Sequence, residues 1–186
     1  MSRNYRFHNP NAPYFVSFAV TEWLDVFTRN EYKDILIDSL SYCQKEKGME
    51  IYAWVIMTNH LHLVFRSVKD IPPGHLLGSF KKNTSKAVVK AIDQNQRESR
   101  KEILLEAFKR NGAKNSNVKQ NQFWQQNNKP IELWSRKVIS QKIKYIHNNP
   151  VVHGYVFRPE DYQYSSAVDY SGQSGILDNV VVVGLD

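Results

Sequence analysis

Two histidines separated by one residue, His60 and His62, are the side chains in this sequence whose spacing first suggests chemistry. They lie in an apolar, β-prone run over residues 60–65, and a similar run over residues 51–57 precedes it across a two-residue polar break, which predicts a β-hairpin. Alternate side chains of a strand point to opposite faces, so both imidazoles share one face. Such a pair predicts a site for a divalent metal ion, although His-x-His pairs also occur by chance on ordinary strands.

A second pair of reactive side chains, Tyr145 and Asn149, lies near the end of a predicted helix over residues 137–148 that Pro150 is expected to stop. At a spacing of four residues they share one face. If this helix packs against the histidine strand, Asn149 could add an oxygen ligand, and the mixed site would suit Mg²⁺ or Mn²⁺. Tyr145 is then a reasonable nucleophile, because a phosphotyrosine link conserves the energy of a phosphodiester.

The remaining apolar periodicity predicts the elements that position these residues. Tyrosine and β-branched residues predict a first strand, and helical spacing predicts three further helices before the tyrosine helix. Glycine or proline ends most of these segments. In chain order we expect a strand over 14–21, a helix over 29–47, the hairpin, helices over 76–92 and 98–110, and two short edge strands, or a strand and a turn, within 123–134. This order predicts an α+β fold, with an antiparallel sheet covered by helices on one face.

The length of 186 residues and a hydrophobic content of 41% favour one folded domain, with a basic insertion at about 94–122 and a C-terminal extension at about 155–186. The single cysteine, Cys43, excludes an internal disulfide and favours a reducing compartment. No apolar run reaches the length of a membrane span and no signal peptide is evident, so we expect a soluble, cytoplasmic protein.

The positive charge is concentrated in one segment of the chain. Residues 79–120 contain 11 Lys and Arg against 4 Asp and Glu, whereas the rest of the chain is balanced, within a net charge of +7. This excess predicts an acidic partner. Lys81, Lys82 and Lys86 lie off the apolar stripe of their helix and are predicted to contact a nucleic-acid backbone, the alternative being a solvated outer face.

Three further segments each leave two interpretations open. Trp124 and Trp134 could stack on unpaired bases or pack in the core. The polar stretch over 113–122 could order on nucleic acid or be an exposed linker. The valine run over 179–183 could be a closing strand or a self-association edge.

Three separated motifs resemble a known family. They are Trp54-Val-Ile-Met-Thr-Asn-His-Leu-His-Leu-Val64, Phe80-Lys81-Lys82, and Tyr145-Ile-His-Asn-Asn-Pro-Val-Val-His-Gly154. In this order they look like the REP-associated tyrosine transposases, the single-tyrosine members of the His-hydrophobe-His (HUH) superfamily and of the IS200-like type. The resemblance covers about residues 14–166. Thr58 stands where the family often has proline, and the basic stretch over 94–122 is longer than in compact relatives.

The resemblance implies a ferredoxin-like fold that acts on single-stranded DNA beside a hairpin. It implies that His60, His62 and Asn149 hold the metal and that Tyr145 forms a 5′-phosphotyrosine, leaves a 3′-hydroxyl and later rejoins ends. Many members of the family are dimers and others are monomers, so the resemblance leaves a homodimer and a monomer both open. Two alternatives use the same fold: a regulator that binds single-stranded or hairpin nucleic acid without cutting it, and a metal hydrolase in which Tyr145 belongs to the core.

Overall fold

The computed structural model describes residues 7–115, 120–126 and 129–185. Part of the polar stretch predicted over 113–122, residues 116–119, lies outside the described residues. The elements are β1 (Tyr14–Ala19), α1 (Asn30–Lys47), β2 (Met49–Ile56), β3 (His60–Ser67), α2 (Pro73–Gln94), α3 (Lys101–Ala113), β4 (Ile131–Glu132), α4 (Arg136–Val152) and α5 (Ala167–Tyr170). None of the described helices is long and apolar enough to cross a membrane.

The four strands form one antiparallel sheet in the order β2-β3-β1-β4. The predicted hairpin is β2 and β3, which pair directly, and β1 pairs with the other edge of β3. This order, with α1 between β1 and β2 and α2 after β3, is the ferredoxin-like arrangement, and it confirms the predicted α+β class. The histidine strand is therefore central in the sheet, with a neighbour on each side.

Helices cover both faces of the sheet. α1 and α2 pack on the face that carries Leu61, Leu63 and Phe65 and enclose the larger core. α4 packs on the other face, where Ile143 and Ile146 join apolar residues from β1, β2 and β3. The sequence predicted helices on one face only; α1 and α2 follow that expectation and α4 departs from it. The reason is that the histidine face is also apolar beyond the histidines, so the apolar stripe of α4 can be buried there.

Two helix ends follow different rules. α1 ends as predicted at Gly48, whose φ of +68° is a left-handed conformation that glycine adopts without a steric penalty. α4 does not stop at Pro150 but continues to Val152. A proline removes one backbone donor and crowds the carbonyl of the preceding turn. Here the backbone and ring nitrogens of His153 both donate to the Asn149 carbonyl, at 3.1 and 2.9 Å. These bonds hold the last turn beyond the proline.

α3 begins and ends three residues later than predicted, and it includes Gly112. The chain crosses closely over this glycine, and a Cβ at that position would collide with the Gln120 carbonyl oxygen. The segment before α3 is tied to the start of α1 by Glu98, whose side chain is fully buried and accepts from Arg29 at 2.9 Å and Arg100 at 3.1 Å. Burial acts to raise the pKa of Glu98, but these hydrogen bonds outweigh it and lower that pKa.

The C-terminal segment covers the outer edge of β2. The Ile56 N–H donates to the Tyr164 carbonyl at 3.0 Å, the Ser166 N–H donates to the Trp54 carbonyl at 3.0 Å, and the Val181 N–H donates to the Ile51 carbonyl at 2.8 Å. The Tyr162 hydroxyl also donates to the Ile56 carbonyl, at 2.9 Å. The valine run over 179–183 was predicted to be either a closing strand or a self-association edge. It lies against the edge of β2, as a closing strand would, but it makes a single backbone hydrogen bond there and is not a strand.

Candidate active site

His60 and His62 lie side by side in a buried position on the α4 face of the sheet. Their ring centroids are 4.6 Å apart, and their exposed fractions are 9% and 6%. The β1 residues opposite them are small, Ala19 and Ser17, which leaves room for two imidazoles on that face. The predicted arrangement of the pair is confirmed, and α4 encloses it.

The amide of Asn59 determines which nitrogen of His60 carries the proton. Its Nδ2 donates to the Asp25 carboxylate at 3.0 Å and to the Trp23 carbonyl at 3.3 Å. Its Oδ1 must therefore accept, and it lies 2.7 Å from Nδ1 of His60. Nδ1 of His60 is then the donor, which leaves the lone pair of Nε2 for a cation.

Burial makes both imidazoles neutral at pH 7. It is the main cause that lowers the pKa of His60 to about 4, with a contribution from His153 and a smaller opposite effect of the Asn149 amide. Burial and the neighbouring His60 lower the pKa of His62 to about 3. Neutral imidazoles are the form that binds metal, so the pair is ready to coordinate without losing a proton.

Two buried atoms at this site have no hydrogen-bond partner among the described residues, Nδ1 of His62 and Oδ1 of Asn149. A buried polar atom without a partner is costly, and a bound cation would satisfy an oxygen or nitrogen lone pair. Among the described residues, no group of three or more His, Cys, Asp or Glu side chains could hold a metal. A metal held by two imidazoles and an amide oxygen fits the residues present.

Tyr145 faces the histidines from α4. Its ring centroid is 5.4 Å from that of His62 and 6.0 Å from that of Phe15, and 48% of the residue is exposed. Asn149 is one turn further along the same helix and is buried. The structure thus brings together all four residues that the sequence singled out for chemistry, and the phenol remains reachable from outside.

Lys142 is a residue of this site that the sequence analysis missed. Its Nζ lies 4.8 Å from the ring centroid of Phe15 and 5.5 Å from that of Tyr145, and its charge contributes to the lowered pKa of His62. The signal was available, because Lys142 precedes Tyr145 by three residues on a predicted helix and so shares its face. It places a cation beside the phenol.

His153 was also missed, because Pro150 was expected to end the helix before it. Its ring lies 6.4 Å from that of His60 and stacks on Tyr155 at 6.3 Å. The Tyr155 hydroxyl is 3.4 Å from that of Thr58, in the turn of the histidine hairpin. The segment after α4 therefore forms one wall of the site.

A cavity of about 860 Å³ opens along α4 beside the tyrosine. Its lining includes Gln141, Tyr145, Asn148, Asn149 and His153. Its volume is within the range of small-molecule sites, and amide and aromatic groups line it. It adjoins the candidate active site directly, since Tyr145 and Asn149 belong to both.

The residues predicted to contact DNA do not gather at the histidines. Lys81 is largely buried, donates to the Gln125 carbonyl at 2.9 Å, and has a pKa lowered by burial to about 8. Trp124 is only 5% exposed and its indole donates to Thr84 at 3.0 Å, which favours its core-packing alternative. Lys82 and Lys86 are exposed, but on α2, which packs on the opposite face of the sheet.

Trp134, in contrast, is 78% exposed, just after the short edge strand β4. The other segment expected to be an edge strand contributes one isolated bridge, between Trp124 and Val20.

Fold and site together define an α+β protein in which a buried histidine pair faces a helix that carries a tyrosine. Residues 14–108, just over half of the chain, match the family described as "Transposase IS200 like". The chain therefore belongs to the IS200-like transposase family, as its three motifs predicted. The matched region contains both histidines and ends before α4.

One solved structure shows the same fold. The chain is similar to a REP-associated tyrosine transposase bound to a REP hairpin, with a TM-score of 0.64 and 18% identity over 99% of this chain and 94% of that chain. A protein from Deinococcus radiodurans R1, provisionally described as a transposase, aligns with 21% identity over 80% of this chain and 97% of that chain, with a TM-score of 0.36. No curated protein matches the chain in sequence.

Proposed function

We propose that this transposase cuts and rejoins single-stranded DNA beside hairpins through a covalent bond to Tyr145. The observation that carries the proposal is the position of Tyr145 on α4, with its ring 5.4 Å from His62 and Asn149 one turn away. The similar structure bound to a REP hairpin supports hairpin-bearing DNA as the partner. Binding alone would need neither a nucleophile nor two neutral imidazoles in this arrangement.

In the cutting step the Tyr145 oxygen forms a bond to phosphorus, and the bond from phosphorus to the 3′ oxygen breaks. The products are a 5′-phosphotyrosine and a 3′-hydroxyl, which takes up a proton as the phenol loses one. In the joining step a 3′-hydroxyl attacks the phosphotyrosine, releases the phenol and restores a phosphodiester. The bond energy is conserved throughout, so no nucleotide cofactor is required.

His60, His62 and Asn149 are the residues we assign to metal binding, and Asn59 orients His60. A divalent ion bound there, Mg²⁺ or Mn²⁺, would polarise the phosphate and stabilise charge on the leaving oxygen. Lys142 places a positive charge beside the phenol, where it would also attract the scissile phosphate. Lys82 and Lys86 remain predicted to contact phosphates farther from the site. The resemblance leaves a homodimer and a monomer both open.

The decisive measurement is intact-protein mass spectrometry after incubation with Mn²⁺ and a pool of hairpin-bearing single-stranded oligonucleotides. We expect a DNA-sized mass increase for the wild type and none for Tyr145→Phe. Tyr155→Phe is the matched control, because both tyrosines are 48% exposed, but Tyr145 contacts His62 whereas Tyr155 stacks on His153. It should form the adduct.

An adduct that persists in Tyr145→Phe would contradict the assignment of the nucleophile. Binding without any adduct in the wild type would favour the non-cutting regulator, and free 5′-phosphate ends without attached protein would favour a hydrolase. Electron paramagnetic resonance of Mn²⁺ tests the metal ligands separately from activity. His62→Ala and Asn149→Ala should each weaken Mn²⁺ binding, whereas Tyr155→Phe should not.

A further inference from the structure

The turn after β1 holds two consecutive residues in an unusual backbone conformation. Glu22 has a φ of 53° and Trp23 a φ of 56°, both in the left-handed region. Residues with a Cβ rarely adopt this region, and bulky ones least of all. Such conformations persist only where the surrounding structure imposes them, and they concentrate at functional sites.

Contacts from two directions impose this conformation. The Glu22 carboxylate accepts two hydrogen bonds from Arg110, at 3.0 and 2.9 Å, and one from Asn111, at 2.7 Å. The Trp23 carbonyl accepts from Asn59, which also orients His60. The turn is therefore fixed to α3 on one side and to the histidine hairpin on the other.

This turn presents an indole at the entrance to the candidate active site. Trp23 is 57% exposed, and its ring centroid is 5.9 Å from that of His60, with the two ring planes nearly perpendicular at 74°. By comparison, Trp54 and Trp124 are buried, and Trp134, which is 78% exposed, follows β4 at the edge of the sheet. The edge contact leaves much of the Trp23 ring open to solvent, so a face of the indole is available to a planar aromatic partner.

We propose that Trp23 is a stacking platform for the unpaired base next to the phosphate bound at His60 and His62. This inference rests on the proposed function, because it assumes that single-stranded DNA reaches the histidine pair. Every base offers a flat aromatic face, so an exposed indole beside a phosphate site can hold a nucleotide without reading its sequence. The rigid turn then holds that nucleotide in a fixed position relative to Tyr145.

The test measures DNA binding in the Tyr145→Phe chain with Mn²⁺, so that no strand needs to be cut. The probes are a fluorescent hairpin with a six-thymidine arm on its 5′ or 3′ side, and the same probes with one abasic position moved along the arm. Trp23→Ala and Trp23→Phe are compared with Tyr42→Ala, which removes a 50% exposed aromatic ring from α1 on the opposite face of the sheet.

We expect Trp23→Ala to weaken binding by about 10- to 100-fold, Trp23→Phe to retain most of the affinity, and Tyr42→Ala to leave it unchanged. One abasic position should weaken binding by the parent chain to a similar extent and should have no further effect in Trp23→Ala. A ring that only supports His60 would instead give losses that add to the abasic effect at every position.

Unchanged binding by Trp23→Ala, or additive losses along the whole arm, would overturn the inference. Its failure is distinguishable from that of the proposed function, because the binding assay does not depend on adduct formation. If the wild type forms no adduct but Trp23 and one base prove coupled in binding, the stacking platform stands and the role of Tyr145 falls.

Discussion

A single amide, that of Asn59, contacts two residues of the candidate site, His60 and Trp23. Its donors are taken by Asp25 and by the Trp23 carbonyl, so its oxygen can only accept from His60. The spacing of the histidines was enough to predict the pair. The two acceptors of the Asn59 side-chain N–H groups, Trp23 and Asp25, are more than 30 residues away in sequence, and no local pattern indicated these contacts.

Lys81 gives the clearest prediction for a single residue. Burial lowers the pKa of Lys81 to about 8 in the folded chain, below its ordinary value of 10.5. Between these two pH values the unfolded chain binds more protons, so this lysine makes wild-type stability increase as the pH rises from 8 towards 10.5. Lys81→Met should remove that increase and should raise stability at pH 7 by about 2 kcal/mol.

Urea unfolding of the wild type and Lys81→Met at pH 7 to 10 measures this difference. Lys82→Met, which changes the exposed neighbour, is the control and should follow the wild type. If the free energy of unfolding changed with pH in the same way for the wild type and Lys81→Met, the Lys81 ammonium would be solvated and thus available to a phosphate.

At the scale of elements, the apolar periodicity was sufficient to predict β1, the hairpin and the four longer helices. It was not sufficient to place the ends of α3 and α4, because those ends depend on contacts made elsewhere. α4 passes Pro150 because His153 satisfies the Asn149 carbonyl. Gly112 lies inside α3 and does not end it; the residue is a glycine because the chain at Gln120 crosses too closely for any side chain.

Two glycines on neighbouring helices should therefore respond in opposite ways to the same change. Gly112→Ala should lower the free energy of unfolding by roughly 1 to 3 kcal/mol, since its Cβ would collide with backbone at Gln120. Gly78→Ala, in an exposed position of α2 with no neighbouring atom within 4 Å, should raise it by about 0.5 to 1 kcal/mol. Urea unfolding measures both free energies. If Gly112→Ala and Gly78→Ala changed the free energy of unfolding by the same amount, the close crossing at α3 would be contradicted.

At the scale of the whole molecule, much of the basic segment is engaged within the protein. Arg100 pairs with Glu98, Arg110 pairs with Glu22, and Lys81 is largely buried. Counting charges shows that the excess of positive charge lies in residues 79–120. Composition alone does not distinguish a cation that is paired or buried within the protein from one that faces solvent. Lys82 and Lys86 remain exposed on one side of α2.

The salt dependence of DNA binding tests these two lysines. If each contacts a phosphate, the double change Lys82→Ala and Lys86→Ala should reduce the slope of log K against log salt by about 1.5 to 2. Lys45→Ala, an exposed charge on α1 outside the basic segment, should leave the slope unchanged. An unchanged slope in the double variant would assign both lysines to the solvated surface.

The covered edge of β2 has a consequence for how the chain folds during synthesis. β2 and β3 are complete once residue 67 has been made, yet the groups that cover the outer edge of β2 come from residues 164, 166 and 181. Until those residues leave the ribosome, the edge is open to pairing with another chain. Contacts so distant in sequence also slow folding. The aggregation hazard of this protein should therefore be greatest in nascent chains, and a holdase that shields strand edges would help most in that interval.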